Sequence, residues 1–214
     1  MIAAVLPRAD VRDAFISPKA SSLAELPPGA VVGTSSLRRG AQLKRLRPDL
    51  RVIDFRGNVE TRLKKLAEGQ ADATLLALAG LERLGLAAHA TSILSTEEML
   101  PAAAQGAIGV TCRGDDATTR TLLAALNDKA SATAVACERA FLARLDGSCK
   151  TPIAGLAEID DGMLRFRGLL LAPDGRKWHE IGLDGAAKNA ASLGTDAGEE
   201  LVARAGPEFL ASLA

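Results

Sequence analysis

Ala30-Val31-Val32-Gly33-Thr34-Ser35-Ser36-Leu37-Arg38-Arg39 decides the fold of this chain. The apolar run follows a Pro27-Pro28-Gly29 turn and reads as a short strand. Thr34, Ser35 and Ser36 then offer hydroxyls that can cap a helix, and Leu37, Leu43 and Leu46 form a helical stripe reaching Arg47, ahead of Pro48. The same unit returns twice. Arg51-Val52-Ile53-Asp54-Phe55 is a strand, after which Asn58 caps a helix from Val59 to about Glu68, stopped by Gly69. Ala73 to Leu78 is a third strand, followed by Ala79-Gly80 and a short helical piece. Repeated strand–helix units predict a parallel sheet with helices on its faces.

Beyond these units the pattern changes. Gln105 to Cys112 reads as one more strand, and Asp115 to Leu126 as a helix opened by an acidic pair. Ala130 to Leu145 is Ala-rich and helical, ending at Asp146-Gly147. Three strands are then expected, Thr151 to Glu158, Met163 to Leu171 and Lys177 to Leu183, joined by turns at Asp160-Asp161-Gly162 and Pro173-Asp174-Gly175. A last helix runs from about Ala186 to Ala205. The expected architecture is an α/β domain, a connecting stretch between Leu100 and Asp128, and a small α+β domain with a three-stranded antiparallel sheet. There is no internal repeat and no low-complexity tract.

Composition removes several classes of function. With 214 residues, one or two domains are expected. Lys and Arg together number 26, as do Asp and Glu, which excludes a generally basic nucleic-acid binder. Aromatics are only 3%, with no Tyr, so base stacking has little to work with. No apolar run approaches the roughly 18 residues of a membrane span, and Met1 to Pro7 lacks the basic start of a signal peptide. A cytoplasmic protein with neither nucleic-acid nor membrane partners is expected. Cys112, Cys137 and Cys149 are odd in number and widely spaced, which argues against a disulfide framework. His89 and His179 stand apart from any Cys or acidic cluster, so no metal site is expected.

Overall neutrality hides a local excess. Between Val31 and Leu66 ten basic residues face only Asp49, Asp54 and Glu60. Lys44, Arg45, Arg47, Lys64 and Lys65 read as solvated helix faces. The Arg residues at the strand-to-helix junctions differ: Arg38 and Arg39 at the first, Arg56 and Arg62 at the second, Arg83 at the third. In an open parallel sheet these junctions share the carboxyl edge, where ligands bind and helix N-termini favour anions. Arg adds forked donors for carboxylate or phosphate. Neither G-x-x-x-x-G-K-S/T nor G-x-G-x-x-G occurs, so a nucleotide is not indicated. A second candidate is Asp146-Gly147-Ser148-Cys149-Lys150-Thr151-Pro152, where a loop thiol beside a cation can act as a thiolate, against the reading of an inert loop Cys. Cys112 and Cys137 read as core residues and Trp178 as packing.

Together these residues resemble the porphobilinogen deaminase (hydroxymethylbilane synthase) family. Its Gly-Thr-Ser-Ser-Leu-Arg-Arg appears as Gly33 to Arg39, and its Arg-Gly-Asn-Val-x-Thr-Arg as Arg56 to Arg62. Ala-Gly-Leu-x-Arg-Leu-Gly is Ala79 to Gly85, Leu-Pro-x-x-x-Gln-Gly is Leu100 to Gly106, and Gly-x-Cys-x-x-Pro-Ile is Gly147 to Ile153. Five ordered motifs span nearly the whole chain.

The resemblance implies a periplasmic-binding-protein-like α/β domain over residues 1–100, with a hinge at its start. Residues 101–128 would be the return strand and helix of the family's first domain, and residues 129–214 the α+β cofactor-attachment domain. It implies a transferase of porphyrin and haem biosynthesis that joins four porphobilinogen molecules into hydroxymethylbilane with release of ammonia. The chain grows on a dipyrromethane cofactor held by a thioether to Cys149. Thr34, Ser35, Ser36, Arg38, Arg39, Arg56 and Gly57 would bind that cofactor, and Arg62, Arg83 and Gln105 the substrate. A complete member would act as a monomer. In the family a first domain precedes the stretch matching Met1 to Ser17 and supplies an Asp for deamination. The chain therefore reads as an N-terminally truncated member with no catalytic residue assignable, and Asp54 and Asp146 lie outside the matched motif. A non-catalytic module that binds a small polyanion is the alternative.

Overall fold

The computed structural model describes residues 1–145 and 151–213. Strand β1 (Ile2–Val5) and strand β2 (Asp13–Ile16) come first. The three expected units follow as β3 (Val31–Gly33) with α1 (Leu37–Leu46), β4 (Arg51–Ile53) with α2 (Val59–Ala67), and β5 (Ala73–Ala77) with α3 (Leu78–Arg83). Ser36 caps α1 by accepting from the Arg39 N–H at 3.3 Å, and Asn58 caps α2 by accepting from Thr61 at 2.8 Å.

These strands form a five-stranded sheet in the order β4-β3-β5-β2-β6, where β6 is Ser92–Ile93. As expected, β3 lies parallel to both β4 and β5. The sheet is nevertheless mixed, because β2 runs antiparallel to β5 and to β6. Neither added strand has a clear sequence signature. All four residues of β2 are buried, so no polar–apolar alternation marks it, and β6 has two residues. The pleat of β2 still divides its side chains. Phe15 joins Val32, Leu43, Leu75 and Met99, while Ala14 and Ile16 join Phe55, Leu66, Leu76 and Leu81.

The C-terminal sheet has the order β10-β9-β8, all antiparallel, from β8 (Ile153–Asp160), β9 (Met163–Leu171) and β10 (Trp178–Ala186). Helices α5 (Lys129–Arg144) and α6 (Ala190–Ala211) cover one face, with the Phe141 and Phe166 rings 4.9 Å apart. Helix α6 breaks at Gly206 (φ 74°, ψ 162°), ahead of Pro207 and just past the expected end at Ala205. The other face puts Ala154, Leu156, Leu169 and Leu171 against Ala41 of α1 and Leu100. An α/β unit followed by a three-stranded antiparallel sheet is therefore what the sequence predicted.

Four expectations change. The strand expected from Gln105 to Cys112 shrinks to β7 (Gly109–Thr111), which pairs antiparallel with β1. Ala104 at φ 61° and Gly106 at φ 80° sit in the left-handed region, which interrupts regular strand geometry there. Cys112 lies beyond β7 and is half-buried instead of core. The helix expected from Asp115 to Leu126 is α4 (Ala117–Ala124), with no buried residue. Lastly, the basic residues of α1 are not merely solvated. Lys44 donates to the Pro173 carbonyl at 3.1 Å, and Arg45 lies over the Trp178 ring, 4.2 Å from its centroid. Arg47 donates to the Leu23, Ala24 and Leu26 carbonyls.

One carboxylate joins the two halves. Glu138 of α5 is fully buried and accepts from Arg8 through Nη1 at 2.6 Å and Nη2 at 3.0 Å. It also accepts from the backbone N–H groups of Ala104 at 2.6 Å and Ala157 at 2.8 Å. Among the described residues, no helix is long and apolar enough to cross a membrane. Replacing Glu138 by Ala leaves a guanidinium and two backbone N–H groups without their acceptor. Urea unfolding of Glu138→Ala is expected to show a loss of about 3–5 kcal/mol, with Glu138→Gln losing less because one oxygen still accepts.

Candidate functional site

Because β3, β4 and β5 are parallel, their carboxyl ends bring three junctions to one edge. Thr34 and Ser35 lace the first two junctions together. The Thr34 N–H donates to the Ile53 carbonyl at 2.9 Å, and the Ser35 hydroxyl accepts from the Phe55 N–H at 3.0 Å. The Thr34 hydroxyl accepts from the Ser36 N–H at 3.2 Å, which sets the turn into α1. Gly33 is needed for the close approach of this turn, since a Cβ there would meet the Phe55 ring at 2.5 Å.

At the second junction Gly57 has φ +133°, a conformation that L side chains rarely adopt. Arg62 reaches back from α2 and donates through Nε to the Gly57 carbonyl at 2.8 Å. Partial burial and the neighbouring Arg39 charge pull the Arg62 guanidinium below its usual pKa. Arg56 is strongly exposed and donates to Asp54 at 2.9 Å. Hydrogen bonding from Ser35 and Arg56 holds the Asp54 carboxyl below the usual carboxylate range. Lys65, expected on a solvated face, donates to the Arg56 carbonyl at 2.9 Å. Arg83 stands exposed at the end of α3.

The first junction holds a residue that sequence reading does not single out. Asp13, at the head of β2, is fully buried. Its Oδ2 accepts from Arg38 Nη2 at 2.8 Å, and its Oδ1 accepts from Arg39 Nη2 at 2.7 Å. Gln105 donates to Oδ1 at 2.9 Å and accepts from Arg38 Nη2 at 3.2 Å. Arg38 Nη1 donates to the Leu100 carbonyl at 2.6 Å. Burial alone would raise the Asp13 pKa, but the charges and hydrogen bonds of Arg38 and Arg39 outweigh it and hold the carboxyl low. The signal available in the sequence was an acidic residue opening the apolar run Ala14-Phe15-Ile16, because a buried Asp needs a partner.

Two guanidiniums share one carboxylate, which leaves a positive charge in the cluster. Arg38 Nε and Arg39 Nε are buried without a hydrogen-bond partner among the described residues. The excess positive charge favours an anion at the adjoining edge. A cavity of about 670 Å³ elsewhere, bordered by Arg45, Thr96, Arg167, Leu169, Glu180 and Arg204, has a different character. Its cations are matched, Arg167 with Glu97, Arg45 with Glu180 and Arg204 with Glu200. The structure thus gathers Arg38, Arg39 and Gln105 about Asp13. Thr34, Ser35, Ser36, Arg56, Gly57 and Arg62 lie along the adjoining turns, whereas Arg83 sits at the far end of α3 and not at the β5–α3 junction where the sequence placed it. Cys149 lies outside the described residues.

A family model described as "Porphobilinogen deaminase, dipyromethane cofactor binding domain" matches residues 1–121, and one described as "Porphobilinogen deaminase, C-terminal domain" matches residues 132–203. The porphobilinogen deaminase of Nitrobacter hamburgensis is 56% identical over 206 residues, covering 96% of this chain and 65% of that protein. That of Paracoccus denitrificans is 58% identical over 204 residues, covering 95% and 65%. The chloroplastic enzyme of Oryza sativa is 57% identical over 211 residues, covering 97% and 59%. The chain therefore spans about 65% of the length of the bacterial relatives. A putative methionine-binding lipoprotein of Bacillus subtilis superposes with a TM-score of 0.41 at 16% identity, over 61% of this chain and 62% of that one.

The described thiols differ in burial. Burial, and then the Glu138 charge, push the Cys137 thiol up to about 12. Cys112 is half-buried. Iodoacetamide at pH 8, followed by peptide mass analysis, is expected to modify Cys112 while sparing Cys137 in the native chain, with both labelled once urea is added.

Proposed function

The chain belongs to the porphobilinogen deaminase family, and on that basis we propose that it is the anion-binding and cofactor-carrying part of a transferase that builds a linear tetrapyrrole. The substrate is porphobilinogen, four molecules of which are joined into hydroxymethylbilane with release of ammonia. In this reading the protein is cytoplasmic, and a complete member works as a monomer. Residues 1–100 are the family's second domain, residues 101–128 return through its first, and residues 129–214 carry the cofactor.

The observation that supports this reading is the charge pattern at the carboxyl edge. Asp13 balances only one of Arg38 and Arg39, both with an unsatisfied buried Nε, and Arg62 feels the Arg39 charge. Each porphobilinogen ring carries an acetate and a propionate, and these are the partners such an edge lacks. Arg39 and Arg62 would grip carboxylates, and the Arg56 head could follow a flexible propionate. Thr34, Ser35, Ser36 and Gly57 shape the turns so that backbone N–H groups at the α1 and α2 starts face the same ligand. Arg83 would reach a more distant ring.

The same donors suit a dipyrromethane, two linked pyrroles with four carboxylates, anchored at Cys149. When bound, that group supplies the primer on which the chain is extended. The chain's own residues hold and orient its carboxylates. Asp13 and Asp54 are both engaged with Arg, so neither is assigned to stabilise charge on a pyrrole nitrogen.

A charge-assisted hydrogen bond is worth about 1.5–3 kcal/mol, so losing one weakens binding roughly ten- to hundredfold. Calorimetry with porphobilinogen is expected to show that loss for Arg39→Leu and Arg62→Leu. Lys64→Leu, at a side chain 78% exposed and away from the edge, should leave affinity unchanged. Equal losses in all three variants would contradict the assignment. Intact mass tests the anchor. A mass excess of two linked pyrroles that vanishes in Cys149→Ser is expected, and an adduct that survives the substitution would refute it.

A further inference from the structure

We propose that Asp13 is a positioning residue of the anion edge: it fixes how Arg38 and Arg39 face a carboxylate ligand without touching that ligand. The proposal rests on the anion-edge reading above. Consecutive residues of an α-helix point about 100° apart, so guanidiniums at i and i+1 do not naturally converge. Asp13 supplies the common partner, holding Arg38 Nη2 at 2.8 Å on one oxygen and Arg39 Nη2 at 2.7 Å on the other.

The carboxylate is itself held. Gln105 donates to Oδ1 at 2.9 Å and to the Val11 carbonyl at 2.6 Å, which ties it to the chain just ahead of β2. Arg38 is fixed a second time at the Leu100 carbonyl, 2.6 Å away. Gln42 braces that residue from both sides, accepting from its N–H at 2.8 Å and donating to its carbonyl at 3.0 Å. Asp13 engages each Arg through one Nη, and the Nε of both stays buried and unpartnered. Polar atoms held so closely and left partly unsatisfied are arranged for something other than fold stability alone.

A counter-charge and a positioning group predict opposite signs. If Asp13 merely offsets positive charge, Asp13→Asn adds one net positive charge to the edge and tightens anion binding. If it positions the guanidiniums, the same substitution weakens binding in spite of that added charge. Asp13→Glu keeps the charge and shifts the carboxylate by one methylene, so positioning predicts weaker binding there too.

The 214-residue chain and both variants are titrated calorimetrically with porphobilinogen, per folded molecule as measured by circular dichroism. The expected result is affinity about tenfold weaker in both variants. Tighter binding by Asp13→Asn with unchanged binding by Asp13→Glu overturns the proposal. A second measurement needs neither a variant nor a ligand. In the ligand-free chain, NMR of the Arg39 guanidinium should resolve separate Hη signals, because its Nη2 is pinned, and averaged signals overturn the proposal even if neither variant folds. A wild-type chain with pinned Arg39 and no porphobilinogen binding would instead refute the anion-edge reading.

Discussion

The buried ion cluster in which Asp13 meets Arg38 and Arg39 is the interaction on which the rest of the structure depends. Taking ions out of water costs several kcal/mol each, and the cost is recovered only where geometry is good and the remaining donors find acceptors. Here most of them do. The cluster draws in Gln105 and the Leu100 carbonyl, so it links β2, α1 and the segment 100–105. An apolar set of similar volume could hold the same elements together. What it could not do is leave a net positive charge at the end of a parallel sheet, where helix N-termini already favour anions.

A second buried carboxylate repeats the device at the seam between the two sheets. Glu138 collects Arg8, Ala104 and Ala157, three segments far apart in sequence. Ala104 and Gln105 are adjacent, so the two clusters share the left-handed turn at Ala104 to Gly106. The site edge and the C-terminal domain are thus joined through a few buried hydrogen bonds, with the apolar contact of Ala41 and Leu100 against Leu156 and Leu169 beside them. Displacing that turn would reach both carboxylates.

Periodicity and punctuation made most of the architecture legible. The Ser36 and Asn58 caps, the runs at Val31 and Ala73, and the turns at Asp160 to Gly162 and Pro173 to Gly175 are local signals, and the structure follows them. What was hidden depends on partners distant in sequence. Strand β2 is buried along its whole length and shows no alternation, and Asp13 gains meaning only beside α1, some 25 residues on. The residues from Gln105 onward have strand-like composition, yet Ala104 and Gly106 take left-handed backbone, where the Ala104 N–H donates to Glu138 and Gly106 packs against the Ala9 carbonyl. Charge runs were legible as charge but not as contact. Lys44 and Arg45 meet the C-terminal hairpin, a contact that the helical pattern of α1 does not announce. The Arg residues of the first two junctions could be placed at one edge from the sequence because junction positions in a parallel sheet converge whatever the details of packing.

The central claim is that anionic pyrroles bind at the carboxyl edge of β3, β4 and β5, drawn by positive charge that Asp13 balances only in part. Amide NMR of the 214-residue chain during titration with porphobilinogen tests it most directly, because it reports location as well as affinity. The account predicts saturable shifts concentrated at Ser35 to Arg39 and Gly57 to Arg62. Shifts confined to the charge-matched cavity around Arg167, Glu180 and Arg204, with that edge silent, would contradict it.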